Sequence, residues 1–208
     1  TSLIYKNIQD FNDSGSAKLI NYQQLASEIC NLNPDVLGLS LLTDTFQVNM
    51  AVAAEVKKLN PEIKVLAGGV HAGLLPKLTL GFTQVDAVCI GEGEFSALDY
   101  MQNLDTISSG ETPLLNGVVY KQNGCFIGDF TNYTTIEDVD CFPFPDKELF
   151  YSQDPSMQSH YFVQCSRGCP YRCSFCVNDR LNEVVSGKRF RSRSPENIID
   201  ELIWAKEK

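Results

Sequence analysis

Short apolar runs alternate with helical apolar stripes through the first half of the 208-residue chain. Three apolar runs, each bounded by polar or turn-forming residues, predict buried strands over 35–42, 64–70 and 86–91. Apolar residues at helical spacing predict helices before, between and after these runs, over 21–32, 48–59, 74–80 and 95–104. Strands that alternate with helices form a parallel sheet with both faces covered. The pattern therefore predicts an α/β fold with a doubly wound parallel sheet.

The pattern changes after residue 110. Two β-rich runs within 117–128 flank Asn123 and Gly124, a dipeptide typical of a tight hairpin turn. Residues 138–155 are rich in Asp, Pro and aromatic side chains, and this composition predicts a linker. The short apolar run at 161–165 then predicts a buried strand.

A further helix is predicted near the end of the sequence. Ser194 suits the N-cap position and Pro195 the first helical position. An apolar stripe follows at Ile198, Ile199, Leu202 and Ile203. These changes of pattern divide the chain into an α/β domain over 1–110, a hairpin and linker over 111–155, and a third part over 156–208.

The formal charge of −9 is unevenly distributed along the chain. Residues 1–164 hold eight Lys or Arg against twenty Asp or Glu, whereas residues 165–208 hold nine against six. An acidic first part argues against broad nucleic-acid binding, because the phosphate backbone is itself anionic. The basic tract 188–193 is interpreted as a solvated surface strand that leads into the last helix.

A reducing, cytoplasmic location is predicted from two further features. Eight cysteines in 208 residues lie below the density of a disulfide scaffold, and Cys30 and Cys89 fall inside apolar segments that suit reduced core thiols. No apolar run approaches the ~20 residues of a membrane-spanning helix, so we expect no transmembrane segment.

Cys169, Cys173 and Cys176 form a C-x3-C-x2-C run. Three thiolates can wrap one cuboidal iron–sulfur cluster and leave one iron with an open coordination site, whereas ferredoxin-type clusters take four cysteines. The run resembles the signature of radical SAM enzymes, in which S-adenosylmethionine chelates the open iron. The resemblance implies a [4Fe–4S] cluster on these three cysteines and a contact between S-adenosylmethionine and Phe175, which precedes the last cysteine.

Cys165 leaves other interpretations of this run open. It could supply a fourth ligand, which would close the cluster or bind zinc. A structural zinc site normally has two C-x2-C pairs, or cysteine and histidine pairs, and neither His71 nor His160 is spaced for one. We expect Cys165 to be a small buried thiol at the end of the predicted strand 161–165, outside the coordination sphere of the cluster.

Three segments after the predicted strands extend the resemblance. They read Ser40-Leu41-Leu42-Thr43, Gly68-Gly69-Val70-His71 and Gly91-Glu92-Gly93-Glu94, and residues 193–202 add Arg-Ser-Pro-Glu-Asn-Ile-Ile-Asp-Glu-Leu. Their order is similar to that of B12-binding (cobalamin-dependent) radical SAM enzymes, which include methyltransferases and the anaerobic magnesium-protoporphyrin IX monomethyl ester oxidative cyclase. The resemblance implies a flavodoxin- or Rossmann-like B12-binding domain, then a small hairpin and the start of a radical SAM βα barrel.

The same resemblance implies a cobalamin site at the ends of the strands. In a doubly wound sheet, ligands lie beyond the carboxyl ends of the strands, where glycines admit a large ring and hydroxyls can bond its periphery. The implied cobalamin-binding residues are Ser40, Thr43, Gly68, Gly69, His71, Gly91, Glu92, Gly93 and Glu94. The Asp-x-His-x-x-Gly motif, which supplies a lower cobalt ligand in other cobalamin domains, is not present at either histidine.

The implied activity is cleavage of S-adenosylmethionine to a 5′-deoxyadenosyl radical, for methyl transfer or oxidative cyclisation. The implied partners are a small-molecule, lipid or tetrapyrrole-like substrate and a reductant such as flavodoxin or ferredoxin. Two alternatives stay open: a methylthiotransferase-like radical SAM enzyme without cobalamin, and a non-enzymatic corrinoid-binding module with a four-cysteine zinc site. The methylthiotransferase would need cysteines for a second cluster, but Cys30, Cys89, Cys125 and Cys141 form no compact motif.

The ends of the sequence suggest a fragment. It opens at Thr1 without methionine, and its first apolar patch, residues 3–8, resembles the second strand of the family, so the first strand is expected to be missing. The sequence ends inside the predicted helix after 194, one strand and one helix into the barrel. We therefore expect this chain alone to be inactive.

Overall fold

The structure is a computed structural model that describes residues 21–154, 157, 159–185 and 187–207. The apolar patch at residues 3–8, interpreted above as a strand, lies outside the described residues. The described chain forms two compact units. We call residues 21–135 with 184–185 the sheet unit, and residues 136–183 with 187–207 the cysteine unit.

The sheet unit contains six helices and five strands among its described residues. In chain order they are α1 Tyr22–Asn31, β1 Val36–Ser40, α2 Phe46–Leu59, β2 Lys64–Gly68, α3 Gly69–Leu74, α4 Pro76–Gly81, β3 Ala87–Cys89, α5 Gly93–Gln102, α6 Leu104–Ser108, β4 Val118–Gln122 and β5 Cys125–Ile127. Asn21 caps α1, because its side-chain oxygen accepts a 3.0 Å hydrogen bond from the backbone N–H of Gln24. The predicted start of the first helix is confirmed.

The five strands form one sheet in the order β1-β2-β3-β4-β5. The first three are parallel, with Val36 opposite Lys64 and Leu66 opposite Ala87, and β4 and β5 add to β3 as an antiparallel hairpin. Positive φ angles at Asn123 (49°) and Gly124 (77°) make the predicted tight turn. The hairpin therefore extends the parallel sheet at one edge.

Side chains alternate between two apolar clusters, one on each face of this sheet. Val65, Ala67 and Val88 point to the cluster that contains Met50 and Ala53 of α2 and residues of α3 and α4. Leu66, Ala87 and Cys89 point to the cluster that contains Tyr100 of α5 and Ile107 of α6. Helices thus cover both faces, as the doubly wound prediction requires.

The cysteine unit contains three α-helices, a 3-10 helix over Val139–Cys141 and two short strands among its described residues. The α-helices and strands are α7 Glu148–Tyr151, β6 Ser166–Gly168, α8 Val177–Val184, β7 Phe190–Ser192 and α9 Pro195–Glu207. Strands β6 and β7 pair antiparallel, with Ser166 opposite Ser192 and Gly168 opposite Phe190. The predicted cap of α9 is confirmed, because the Ser194 hydroxyl accepts a 3.2 Å hydrogen bond from the backbone N–H of Asn197.

The prediction of a buried strand over 161–165 is wrong. The strand β6 begins at Ser166, directly after this run, Phe162 is 72% exposed, and Cys165 is exposed rather than a core thiol. The side chains of Lys147 and Arg193 donate hydrogen bonds to the carbonyls of Phe162 and Gln164. In a strand, backbone N–H groups of a neighbouring strand would donate to these carbonyls. Here cationic side chains donate to them instead, so the run 161–165 does not pair as a strand.

The interpretation of the basic tract 188–193 as a solvated surface is also wrong in part. Arg191, in the middle of β7, is only 7% exposed, and its Nη1 donates a 2.6 Å hydrogen bond to the carbonyl of Ile136. Arg193 pairs with the buried carboxylate of Glu201. Two of the four cations in the tract thus hold the cysteine unit together instead of facing solvent.

Candidate functional site

The ends of β1 and β2 come together at one edge of the sheet. Leu41, just after β1, donates its backbone N–H to the carbonyl of Gly68 at 2.8 Å, and accepts a 3.0 Å hydrogen bond from the backbone N–H of His71. Ser40 and Thr43 lie exposed at the same edge. The structure therefore brings together five of the predicted cobalamin-binding residues: Ser40, Thr43, Gly68, Gly69 and His71.

Gly69 has a structural role at this edge. Its φ of +86° lies in the left-handed region, and a Cβ there would lie 2.8 Å from the backbone nitrogen of Leu41. Gly68 differs, because a Cβ on it would meet only the Cβ of Cys89, at an ordinary 3.7 Å. Gly69 is therefore required by the packing of α3 against the end of β1, whether or not a ligand approaches it.

His71 is the buried polar side chain of this edge, with 8% of its surface exposed. Its Nδ1 lies 3.1 Å from the Thr43 hydroxyl, and its ring packs on Phe46 with 4.3 Å between centroids. Its Nε2 is buried and has no hydrogen-bond partner among the described residues. Because an unsatisfied buried nitrogen costs free energy, His71 is a candidate to bond a polar group of a ligand.

The end of β3 is covered by a segment that the sequence pattern does not reveal. Gly91 has φ +99°, and a Cβ on it would overlap the backbone of Thr134. Thr134 accepts a 2.9 Å hydrogen bond from the N–H of Glu92 and donates its own N–H to Ile90 at 3.1 Å. Thr134 therefore packs directly beside Gly91, and the positive φ of Gly91 serves this contact. No local motif identifies Thr134, which lies 43 residues after Gly91.

Glu92, Gly93 and Glu94 lie at the start of α5. Glu92 is the N-cap residue and its carbonyl accepts a 3.4 Å hydrogen bond from the hydroxyl of Ser96. Gly93 is the first residue of the helix, and a Cβ there would meet nothing within 4 Å. Glu94 is exposed in the first turn. At Gly93 the space beside the backbone is therefore open to a ligand.

The edge residues fit a corrinoid in their chemistry. Ser40 and Thr43 present hydroxyl groups at the surface, and His71 has a buried ring nitrogen without a partner among the described residues. The periphery of a corrin carries amide groups, which both donate and accept hydrogen bonds. Gly68 is part of the same edge and has room for a close approach. The β1–β2 end is therefore the better-supported half of the predicted cobalamin edge.

The cysteine run follows β6 as an exposed loop. Cys169 and Cys176 are half-buried, Cys173 is exposed, and Phe175 is 91% exposed. Gly168 precedes the loop with φ +82°, where a Cβ would overlap the carbonyl oxygen of Arg189. The backbone at the start of the loop is therefore fixed against β7, while the side chains at its tip face outward.

The donor set of this loop fits an iron–sulfur cluster. Thiolates are the ordinary ligands of such clusters, and the three cysteines of the run are free. Within the described residues, no three His, Cys, Asp or Glu side chains are grouped as ligands of a single metal ion. In a cuboidal cluster each thiolate binds a different iron, so its ligands do not converge on one point.

A buried carboxylate organises the segment before the loop. Glu201 on α9 is 1% exposed; its Oε1 lies 3.3 Å from the Nζ of Lys147 and accepts a 2.9 Å hydrogen bond from the Tyr161 hydroxyl. Its Oε2 pairs with Arg193. Lys147 also lies over the Tyr161 ring, 3.4 Å from its centroid. We call Lys147, Tyr161, Arg193 and Glu201 the Glu201 network.

The network changes the proton affinity of two of its members. Burial alone would raise the pKa of Glu201, but hydrogen bonds from Arg193, Tyr161 and Lys147 outweigh burial and hold this pKa below its ordinary value. Burial, and then the hydrogen bond to Glu201, raise the pKa of Tyr161 to about 12. Glu201 is therefore a carboxylate at neutral pH and Tyr161 a neutral donor to it.

The Glu201 network borders a cavity of about 160 Å³ in the cysteine unit. Aromatic and proline residues of the segment 142–145 line one part of it, and Gln164, Ser166 and Arg167 line another. The cavity thus adjoins the β6 strand that leads into the cysteine loop.

In the part of the chain that the structure describes, no helix combines the length and apolar character that a membrane crossing needs.

Comparison with known proteins connects the sheet unit to a cofactor. Residues 10–99 match the family model of the B12 binding domain. An uncharacterised methyltransferase of Pyrococcus horikoshii is 32% identical over 192 residues, and the anaerobic magnesium-protoporphyrin IX monomethyl ester cyclase of Rubrivivax gelatinosus is 25% identical over 189. The cobalamin-dependent radical SAM methyltransferase TokK of Streptomyces tokunonensis is 27% identical over 192. Over most of its length the chain is similar to B12-binding radical SAM enzymes.

The match covers most of this chain but less than half of each relative. It spans 90% of this chain and 40% of the Pyrococcus protein, and 88% of this chain with 33% of the cyclase and 27% of TokK. The recognition made from the cysteine run and the strand-end segments is confirmed.

Solved structures share the fold of this chain. The cobalamin-dependent S-adenosylmethionine radical enzyme OxsB, solved with aqua-cobalamin and S-adenosylmethionine bound, matches 90% of this chain and 26% of its own, with TM-score 0.61 and 19% identity. TsrM from Kitasatospora setae, solved with cobalamin and a [4Fe–4S] cluster bound, matches 88% of this chain and 37% of its own, with TM-score 0.58 and 14% identity. These likenesses confirm the predicted B12-binding, Rossmann-like α/β fold.

Proposed function

We propose that this chain is part of a cobalamin-dependent radical SAM enzyme that carries out methyl transfer or oxidative cyclisation. The observation that carries the proposal is that a B12-binding domain match and a three-cysteine loop occur in one chain. A cobalamin edge alone would suit a carrier, and a cysteine loop alone would suit many iron–sulfur proteins. Their combination agrees with the description of TokK as a cobalamin-dependent radical SAM methyltransferase.

The cobalamin is proposed to lie against the β1–β2 end of the sheet. Thr43 and His71 offer hydrogen bonds to its periphery, and Gly68 leaves room for the ring. Ser40, Gly69 and Gly91–Glu94 complete the proposed edge, although Gly69 and Gly91 also serve the packing described above. The B12-binding match favours this arrangement over the alternative of a methylthiotransferase-like enzyme without cobalamin.

Cys169, Cys173 and Cys176 are proposed to hold a [4Fe–4S] cluster, with Cys165 outside its coordination sphere. When bound, such a cluster supplies the electron that cleaves S-adenosylmethionine to a 5′-deoxyadenosyl radical. Phe175 is proposed to contact S-adenosylmethionine, which its 91% exposure permits. An external reductant such as flavodoxin or ferredoxin is proposed to supply the electron, and the substrate to be a small, lipid-like or tetrapyrrole-like molecule.

Anaerobic reconstitution with iron and sulfide tests the cluster part of this proposal. The wild-type protein should take up about four irons and four sulfides per chain. Cys173→Ser should lose most of both, because a thiolate ligand is removed. Cys165→Ser is the matched control and should keep them. Equal loss in the two variants would overturn the three-cysteine assignment and favour a four-cysteine site.

Binding of hydroxocobalamin, measured by its absorbance after gel filtration, tests the cobalamin part. His71→Gln should weaken binding about tenfold, since one hydrogen bond to a buried partner is worth roughly 1.4 kcal/mol. His160→Gln is the matched control, because His160 is exposed in the cysteine unit. If both variants bind like the wild type while remaining folded by circular dichroism, the β1–β2 edge is not the cobalamin site.

A further inference from the structure

Asn182 is a buried side chain beneath an exposed loop. It lies on α8, which begins at Val177 directly after the last cysteine of the run. Asn182 is 5% exposed, whereas Tyr171 and Phe175 in the loop are 70% and 91% exposed. A buried amide in such an exposed segment needs hydrogen-bond partners, because burying it without them costs free energy.

Its partners are two carbonyls of the cysteine loop. The Nδ2 of Asn182 donates to the carbonyl of Cys169 at 3.3 Å and to the carbonyl of Tyr171 at 3.4 Å. Cys169 opens the run, and Asn182 follows its last cysteine by six residues. The two hydrogen bonds therefore tie the helix that leaves the loop back to the residues that begin it, and close residues 169–182 into a ring.

Backbone hydrogen bonds also form turns around Cys173 and Cys176, the last two cysteines of the run. The N–H of Cys176 donates to the carbonyl of Cys173 at 3.0 Å, and the N–H of Asp179 donates to the carbonyl of Cys176 at 3.2 Å. Of the common side chains of this size, the amide of asparagine offers two N–H donors on one nitrogen, whereas aspartate and leucine offer none at neutral pH. An asparagine at position 182 can therefore donate to both carbonyls, whereas an aspartate or a leucine there could donate to neither.

We propose that Asn182 is a positioning residue of the cluster loop, which sets the separation of Cys169, Cys173 and Cys176 before iron binds. The inference rests on the proposed function, because it assigns these thiolates to a cluster. A loop that is already closed loses less conformational entropy when its thiolates are ordered by a cluster. Asn182 itself does not contact the cluster in this proposal, since its amide is occupied by the two carbonyls.

Loop closure is tested first on the protein without iron. The probe is iodoacetamide, with alkylation of each cysteine followed by peptide mass spectrometry. In Asn182→Leu, the alkylation rate of the half-buried Cys169 and Cys176 should rise about fivefold to tenfold, as expected when about 1 kcal/mol of hydrogen bonding is lost. The exposed Cys173 should react at the wild-type rate. Unchanged alkylation of Cys169 and Cys176 would overturn loop closure by Asn182, whatever the loop binds.

Positioning is tested next on the reconstituted protein, without S-adenosylmethionine. Asn182→Leu and the isosteric Asn182→Asp should both release iron to a chelator about tenfold faster than the wild type, and the electron paramagnetic resonance signal of their reduced cluster should shift. Asn178→Leu makes the same chemical change on the same helix and is the matched control; it should behave as the wild type does. Wild-type iron release with an unchanged signal in both Asn182 variants would overturn the positioning role.

The outcomes separate this inference from the proposed function. If wild-type protein takes up a cluster that depends on Cys173 but the Asn182 variants retain it normally, the inference fails alone. If wild-type protein takes up no such cluster, the proposed function fails and the positioning role fails with it, although altered alkylation would still establish the closed loop. Faster alkylation and faster iron release in the Asn182 variants support both the positioning role of Asn182 and the proposed cluster.

Discussion

The two candidate sites are held in place by different means. In the sheet unit, backbone packs on backbone: Gly69 fits against Leu41 and Gly91 against Thr134, above two apolar clusters that cover both faces of the sheet. In the cysteine unit, polar side chains hold the chain: Asn182 closes the loop, and the Glu201 network anchors the segment before it.

The apolar residues of the two units differ in the same way. In the sheet unit Val65, Ala67 and Val88 are completely buried. In the cysteine unit three of the four residues in the predicted apolar stripe of α9, Ile199, Leu202 and Ile203, are about half exposed, while Glu201 on the same helix is buried. The sheet unit is thus stabilised mainly by apolar burial, whereas the cysteine unit depends on a few charged contacts. Substitutions can test this difference directly.

The largest effect is expected from Gly91→Ala in the sheet unit. The new Cβ would overlap the backbone of Thr134, and φ +99° would be strained for alanine. The free energy of unfolding should fall by about 4 kcal/mol, from overpacking and backbone strain together. Urea denaturation followed by circular dichroism measures the change.

Gly81→Ala is the matched control for this substitution. Gly81 lies at the end of α4, and a Cβ there would meet nothing within 4 Å. Its unfolding free energy should stay within about 1 kcal/mol of the wild type. If Gly91→Ala is as stable as the control and yet loses hydroxocobalamin binding, Gly91 serves the ligand rather than the packing, and the contrast between the two units weakens.

The next largest effect is expected from Glu201→Gln in the cysteine unit. This change leaves Arg193 and Lys147, whose side chains are 12% and 18% exposed, without their anionic partner. Loss of one partner from such a buried pair should cost about 3 kcal/mol. Trp204, the one tryptophan of the chain, lies on α9 with its ring 5.8 Å from that of Phe144, so its fluorescence reports unfolding of this unit.

Glu183→Gln removes a carboxylate from an exposed pair with Arg180 on α8 and serves as the control. Surface pairs of this kind contribute little, so the Trp204 transition should shift by less than about 0.5 kcal/mol. Equal shifts in the two variants would show that the Glu201 network does not hold the cysteine unit.

The same network should make the cysteine unit sensitive to pH at both ends of the range. The pKa of Glu201 is lowered in the fold, so its contribution is present above the pKa of the unfolded chain and is lost as the pH falls through the folded value. The pKa of Tyr161 is raised to about 12, so its contribution is present below its ordinary pKa and is lost as the pH rises towards that value. In Glu201→Gln the acid loss should disappear from the Trp204 signal.

The sequence predicted the sheet unit well because apolar periodicity is a direct consequence of two covered faces. The three parallel strands and the Asn123-Gly124 turn lie where the pattern indicates. The second strand ends at Gly68 rather than at residue 70, because Gly69 turns into α3 with a positive φ. His71 is predicted as a site residue from its place after a strand in the resemblance, and the structure adds that its Nε2 is buried.

Contacts between residues distant in sequence could not be predicted in the same way. Thr134 meets Gly91 across 43 positions, and Lys147 meets Glu201 across 54. The run 161–165 was misinterpreted because apolar residues at a strand-like spacing do not show which groups bond their carbonyls. Asn182 gave no signal, since a single asparagine on a polar helix is ordinarily exposed. Charged and polar contacts of this kind depend on tertiary geometry, which periodicity does not record.

The smallest effect is expected from a pair of threonines in the sheet unit. Thr79 on α4 is completely buried, and its hydroxyl has no hydrogen-bond partner among the described residues. Thr79→Val keeps the shape and removes this unsatisfied group, so the free energy of unfolding should rise by about 1 kcal/mol. The hydroxyl of Thr134 instead donates towards the carbonyls of Ile90 and Glu92, at 3.0 and 3.2 Å. Thr134→Val should therefore lower it by about 1 kcal/mol. If urea denaturation shows that Thr79→Val loses as much stability as Thr134→Val, the interior beside α4 is more polar than its contacts indicate. Apolar burial would then not be the main difference between the two units.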